Sequence, residues 1–162
     1  MSRTGSETLF APDGRLRQEY FTASAVRALR AACDAAMRTG WPTLRTPHLF
    51  IGLLEEADEP IARWLSQNQL DAARLRKDFL DWFDMSEQLS AKPIHLQAEC
   101  FSEHLRQALH FAYERALQRG GSPITPADLL AAVFLCEPSV VCECLRRDGY
   151  DVASFVASLK SI

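Results

Sequence analysis

Residues 46–54 read TPHLFIGLL and residues 125–134 read TPADLLAAVF. In both, Thr-Pro opens the stretch and an almost wholly apolar run follows. Proline suits the first turn of a helix, where its missing N–H has no partner to lose. A helix that is apolar nearly all round has no face for water and belongs inside a fold. Two such helices in one chain, about eighty residues apart, suggest a duplicated unit with a buried central helix in each copy.

Shifting the chain by 80 residues tests this reading. Residues 21–82 then fall on 101–162 without a gap. The identities include Phe21/Phe101, Ala28/Ala108, Leu29/Leu109, Ala32/Ala112, Ala36/Ala116, Gly40/Gly120, Leu49/Leu129, Leu65/Leu145 and Asp71/Asp151. They fall on helix caps and on apolar positions in helical phase, as expected of a structural repeat. Thr22 and Ser102 stand where N-caps belong, each just after a Phe, and Asp71 and Asp151 do the same for a later helix. Gly40 and Gly120 stand where a helix ends in the left-handed region. Sustained alternation is absent, so strands are not expected. The predicted fold is all-α, with eight helices in two pseudo-twofold-related four-helix repeats. The helices are expected near 22–39, 46–56, 59–68 and 71–82, then 102–119, 125–136, 138–148 and 151–160. Repeat 1 spans 21–83, a linker 84–100, and repeat 2 101–162. Residues 1–20, rich in Ser, Thr, Gly and charge, are expected to form a flexible arm.

Bulk composition narrows the function classes. The chain has 162 residues, 48% hydrophobic and 24% charged, with a formal net charge of -3. A weakly acidic chain argues against nucleic acid and anionic membrane surfaces as partners. No run approaches the roughly 18 apolar residues of a membrane span, and the N-terminus lacks the apolar core of a signal peptide. Five cysteines without a secretory start read as reduced thiols in a cytoplasmic protein. Cys136, Cys142 and Cys144 have no standard zinc spacing, so they read as small hydrophobes and no metal is expected. Cys33 and Cys100 with His48, His95, His104 and His110 could supply a Cys-His pair. Nothing in the sequence supplies an orienting group or an oxyanion hole, so no catalytic residue and no cofactor is expected. Of three tryptophans, Trp64 reads as core. Trp41, after Gly40, and Trp82-Phe83, at the end of repeat 1, read as plugs of the seam between repeats or as loop-borne partner anchors. His48 and Asp128 take equivalent first-turn positions, and His48 is expected at a surface or repeat boundary.

The ordered series, in duplicate, resembles the Clp N-terminal domain family. Copies in that family run Phe-Thr, then an Ala/Leu-rich helix, then a "tEHLLLgLL" helix. Here the copies are FTASAVRALRAACDAAMRTGWPTLRTPHLFIGLL and FSEHLRQALHFAYERALQRGGSPITPADLLAAVF. The resemblance implies a non-catalytic module that binds substrates or adaptors at the front of a ring-forming AAA+ unfoldase. No GxxxxGK[ST] phosphate loop is present, so it also implies a domain acting without its own ATPase. The motif Glu is Pro47 in the first copy and Ala127 in the second. With both carboxylates gone, the bidentate grip that some relatives place on phosphoarginine is not expected. The partner-contacting residues expected from all this are Thr22, Trp41, His48, Trp82, Phe83, Ser102 and Asp128. The expected partner is a Clp-type unfoldase or protease, its substrate or an adaptor. Two alternatives stand beside it: the same fold turned to an unrelated protein partner, and a small helical DNA-binding regulator.

Overall fold

The computed structural model describes residues 8–85, 93–160 and 162. Among them are eight α-helices and no named strand. Repeat 1 holds α1 (Ala23–Arg38), α2 (Thr46–Glu55), α3 (Glu59–Gln67) and α4 (Ala72–Trp82). Repeat 2 holds α5 (Glu103–Gln118), α6 (Pro126–Leu135), α7 (Val140–Arg147) and α8 (Val152–Leu159). Every expected helix is present within two residues of its expected bounds. The largest offset is at α7, where Pro138 delays the start and Ser139 caps the helix by accepting from the Cys142 N–H.

Local chemistry sets the ends. Thr22 and Ser102 accept from the N–H groups of Ala25 and Leu105, each at 3.1 Å. Asp71 and Asp151 cap α4 and α8. Gly40 and Gly120 close α1 and α5 with φ of 77° and 94°. α2 and α6 are buried along almost their whole length, as their lack of a polar face demands. α1 lies very close to α2. A Cβ built on Gly52 would stand 2.3 Å from the Ala28 carbonyl oxygen and 2.8 Å from the Ala32 nitrogen. The alanine-rich inner face of α1 permits that approach.

The two repeats interlock at their starts. Phe21 bridges Ile124, and Leu44 bridges Phe101, both in parallel sense. These pairs are images of one another under the 80-residue shift. Their hydrogen bonds repeat as well. Thr22 N–H donates to Ile124 O and Ser102 N–H to Leu44 O, both at 2.9 Å. Ile124 N–H donates to Tyr20 O at 2.8 Å, and Leu44 N–H to Cys100 O at 2.7 Å. Short 3-10 turns at Gln18–Tyr20 and Ala98–Cys100 precede the two Phe residues, so the duplication begins earlier than Phe21 and Phe101. The core is continuous across the junction. Phe134 on α6 meets both Phe50 on α2 and Trp64 on α3 edge-on, and Trp64 Nε1 donates to Ser158 Oγ on α8 at 2.8 Å.

The expected flexible arm is corrected for residues 8–20; residues 1–7 lie outside the described residues, as do 86–92 of the linker. Leu9, Phe10 and Leu16 are buried. Phe10 meets Phe101 edge-on at 5.6 Å, and Leu16 N–H donates to Leu96 O at 2.9 Å. A tight turn at Gly14 (φ 91°) brings Phe10 and Leu16 together. Three apolar residues within a polar composition were enough to dock the segment.

Candidate functional site

The equivalent positions 48 and 128 show how one structural slot is filled by two chemistries. In repeat 2, Asp128 is buried at the third position of α6. Its Oδ2 accepts from Thr125 N–H at 2.9 Å, while Thr125 Oγ1 accepts from Asp128 N–H, forming a capping box. The carboxylate is also paired with Arg115 at 3.1 Å and with Arg119. In repeat 1 the positions equivalent to Arg115 and Arg119 are Ala35 and Thr39. No cation faces the slot from there, and the slot holds His48. Its Nδ1 accepts from Arg45 N–H at 3.0 Å, and Nε2 lies 3.3 Å from Thr39 Oγ1. Thr39 Oγ1 itself donates to Ala35 O at 2.8 Å, so Nε2–H is the donor and the imidazole is neutral. Burial, and then the charge of Arg45, lower its pKa to about 4. Both His48 and Asp128 are fully buried. The expectation of His48 at a surface is corrected, and neither side chain is open to a partner. Each satisfies the start of a central helix.

Trp41, Trp82 and Phe83 form one aromatic group at the end of repeat 1. Trp41 Nε1 donates to Phe83 O at 2.6 Å, its ring meets His48 edge-on, and the Arg45 guanidinium lies 4.9 Å over it. Trp41 therefore ties the α1–α2 loop to the end of α4, inside its own repeat. Phe79 of α4 touches both Trp82 and Phe83. Trp82 is 42% exposed, and Val140 at the start of α7 is 39% exposed. Both are among the few large apolar side chains so open.

Two clefts meet here. One, of about 540 Å³, is lined by Trp82, Phe83, Val140, Cys144, Arg147 and Asp148. The other, of about 560 Å³, includes Arg45, Pro47, Phe83, Ser102, Pro138 and Val140. Phe83 and Val140 belong to both, so the clefts form one groove along the boundary between repeats. Its floor is apolar and its rim carries charges of both signs. Of the seven expected contact residues, the groove brings together Trp82, Phe83 and Ser102, with Trp41 behind Phe83. Thr22 lies apart from it, and the Thr22 and Ser102 hydroxyls are engaged as helix caps. Sequence reasoning missed Val140, Pro138, Arg45 and Arg147. Pro138 before a Ser cap is a signal for the start of α7. The side on which Val140 then projects depends on how α7 packs.

Cys33 and Cys142 are buried and Cys100, Cys136 and Cys144 half-buried. Burial raises the Cys33, Cys136, Cys142 and Cys144 thiols, so they are weak nucleophiles. Among the described residues no group of three metal-ligating side chains converges, and no helix is long and apolar enough to cross a membrane.

Eight helices in two interlocked four-helix repeats, with buried central helices, are the Clp N-terminal domain fold. Solved structures of other proteins share it. The N-terminal domain of the caseinolytic protease associated chaperone ClpD from Arabidopsis thaliana superposes with a TM-score of 0.69 at 21% identity, over 90% of this chain and 96% of that one. The Hsp104 N-terminal domain from Candida albicans gives 0.68 at 14% identity, over 86% and 88%. A structure from work on a malarial protein secretion system gives 0.66 at 16% identity, over 88% and 93%. At such identities the likeness establishes the fold. No protein-family model and no curated relative matches the sequence.

Proposed function

We propose that this chain is a non-catalytic protein-binding module that takes an apolar polypeptide segment into the groove between its repeats. The segment belongs to a substrate or an adaptor of a Clp-type AAA+ unfoldase, and the module acts in the cytoplasm as an accessory of that system. The single observation that carries this reading is the groove, where Trp82 and Val140 stand exposed above a packed aromatic floor. A large apolar side chain left in water at a concave boundary is the usual mark of a protein contact. Helix-in-groove recognition fits, because an amphipathic helix can place apolar residues on the floor and polar ones against Arg45, Glu103, Arg147 and Asp148 at the rim. The fold shared with the N-terminal domains of ClpD and Hsp104 agrees with this reading.

Fluorescence anisotropy with a labelled, permanently unfolded polypeptide such as casein tests it directly. The wild-type chain should bind reversibly, Val140→Asp should weaken binding at least tenfold, and Leu117→Asp, at an exposed site away from the groove, should leave it unchanged. Equal binding by all three would remove the groove from the mechanism. If the wild type ignores unfolded chains but captures one folded protein through Val140, the fold serves an unrelated partner instead.

A further inference from the structure

The two repeats fill one equivalent position with different chemistry, and in repeat 1 that position faces the groove. At the start of α6 stands Thr125, whose hydroxyl caps the helix by accepting from Asp128 N–H at 3.2 Å. Its counterpart at the start of α2 is Arg45, whose side chain makes no capping bond. A guanidinium has no acceptor, so arginine here gives up a cap that Thr would supply. The Arg45 guanidinium lies instead 4.9 Å over the Trp41 ring. That ring is itself pinned, since Trp41 Nε1–H donates to Phe83 O at 2.6 Å. The counterpart of Trp41 in repeat 2 is Gly121. The stacked Trp-Arg pair therefore belongs to repeat 1 alone, where Arg45, Phe83 and Val140 line one cleft.

Other arginines of repeat 1 have carboxylates at hand. Arg38 and Arg76 reach Glu55, Arg27 reaches Glu56 and Arg63 reaches Glu59. Among the described residues Arg45 is paired with no carboxylate. A guanidinium stacked by its face keeps its N–H edge for a two-pronged grip on a carboxylate. Two acids share the groove with it. Glu103 stands in the first turn of α5, where the helix N–H groups offset its charge. Asp148 is adjacent to Arg147 in the neighbouring cleft, and their charges cancel. Arg45 thus leaves an uncompensated positive charge beside the apolar floor.

We propose that Arg45 determines the specificity of the groove, and that its occupant is an amphipathic helix with Asp or Glu flanking its apolar stripe. The inference rests on the groove as the binding site. The apolar stripe covers Phe83 and Val140, and an acidic side chain one turn along meets the guanidinium edge. The Trp41 ring already holds the cation in place, so little side-chain freedom is lost on binding. A basic flank would set like charges together.

The test uses the full chain and labelled amphipathic peptides that share one leucine stripe and carry Glu, Gln or Lys along one flank. Fluorescence anisotropy reads their affinities. The chain has a net charge of -3, so its overall field favours the Lys peptide, and a preference for Glu has to be local. The wild type should bind the Glu peptide about fivefold more tightly than the Lys peptide, with Gln between them. Arg45→Gln should erase the difference and Arg45→Glu should reverse it, with circular dichroism showing both variants folded. Equal affinity of the wild type for every peptide, all of it lost in Val140→Asp, would overturn the role of Arg45 and leave the groove as the site. Tighter binding of the Lys peptide by the wild type, or an unchanged order in Arg45→Glu, would also overturn it. No binding of any peptide would remove the groove and this inference with it. The wild-type ranking decides even if a variant does not fold.

Discussion

Lowering the pH should unfold this protein through a residue that carries no charge at neutrality. His48 is buried as the neutral imidazole, with its pKa at about 4 against 6.5 in an unfolded chain. At about 1.4 kcal/mol for each tenfold change in proton affinity, the difference is roughly 3 kcal/mol. Between those values the unfolded chain binds a proton that the folded one refuses, so stability falls as the pH falls. The full contribution is present above about pH 6.5 and is lost by about pH 4. Protonation also removes the Nδ1 lone pair that accepts from Arg45 N–H, freeing the first turn of α2. Urea midpoints measured from pH 7.5 to 4 on the wild type and on His48→Asn isolate the term. Asn keeps an acceptor near the place where Asp128 Oδ2 lies in the other repeat, and the carboxylates common to both proteins cancel. The wild type should lose roughly 3 kcal/mol more than the variant over that range. Parallel curves would refute the neutral, buried imidazole.

Other perturbations follow from the same packing. His48→Asp should be less stable at pH 7 and recover as the pH is lowered, because Ala35 and Thr39 offer no counterpart of the Arg115 and Arg119 pair and the one nearby cation, Arg45, lies over the Trp41 ring; urea titration at two pH values reads this. Asp128→Ala should cost about 3 kcal/mol in the same assay. Arg119 is 38% exposed, so water can reach its guanidinium once the carboxylate is removed, which keeps the loss from being larger. Gly52→Ala should cost about 3 kcal/mol, read as a drop in melting temperature, because its Cβ meets helix backbone at 2.3 Å rather than a flexible side chain. Trp82→Ala should cost about 1 kcal/mol of stability but at least tenfold in affinity for an unfolded polypeptide, by denaturation and anisotropy side by side.

The fold was largely legible because its determinants are local and occur twice. Thr22, Ser102, Asp71 and Asp151 announce helix starts by their own chemistry. The apolar runs of α2 and α6 announce burial. The 80-residue shift supplies the topology that local signals alone lack. Segment 8–20 was misread because composition averages over residues, whereas three apolar side chains decide whether a segment docks.

The groove and the two central slots were legible only in part. Trp82 and Phe83 drew attention as aromatics at a repeat end, but which of them faces water depends on how the end of α4 packs. Val140 has the same composition as any buried valine until α7 is placed. His48 and Asp128 could be paired by position, yet their burial could not. Whether a carboxylate survives in a core depends on cations a turn or more away on another helix, Arg115 and Arg119 in one repeat and Ala35 and Thr39 in the other. The sequence by itself determined the helices, their caps and the duplication, because these rest on contacts within a few residues. The tertiary structure alone decided which side chains meet across repeats, because burial and charge pairing are properties of surfaces that exist only once the helices are packed.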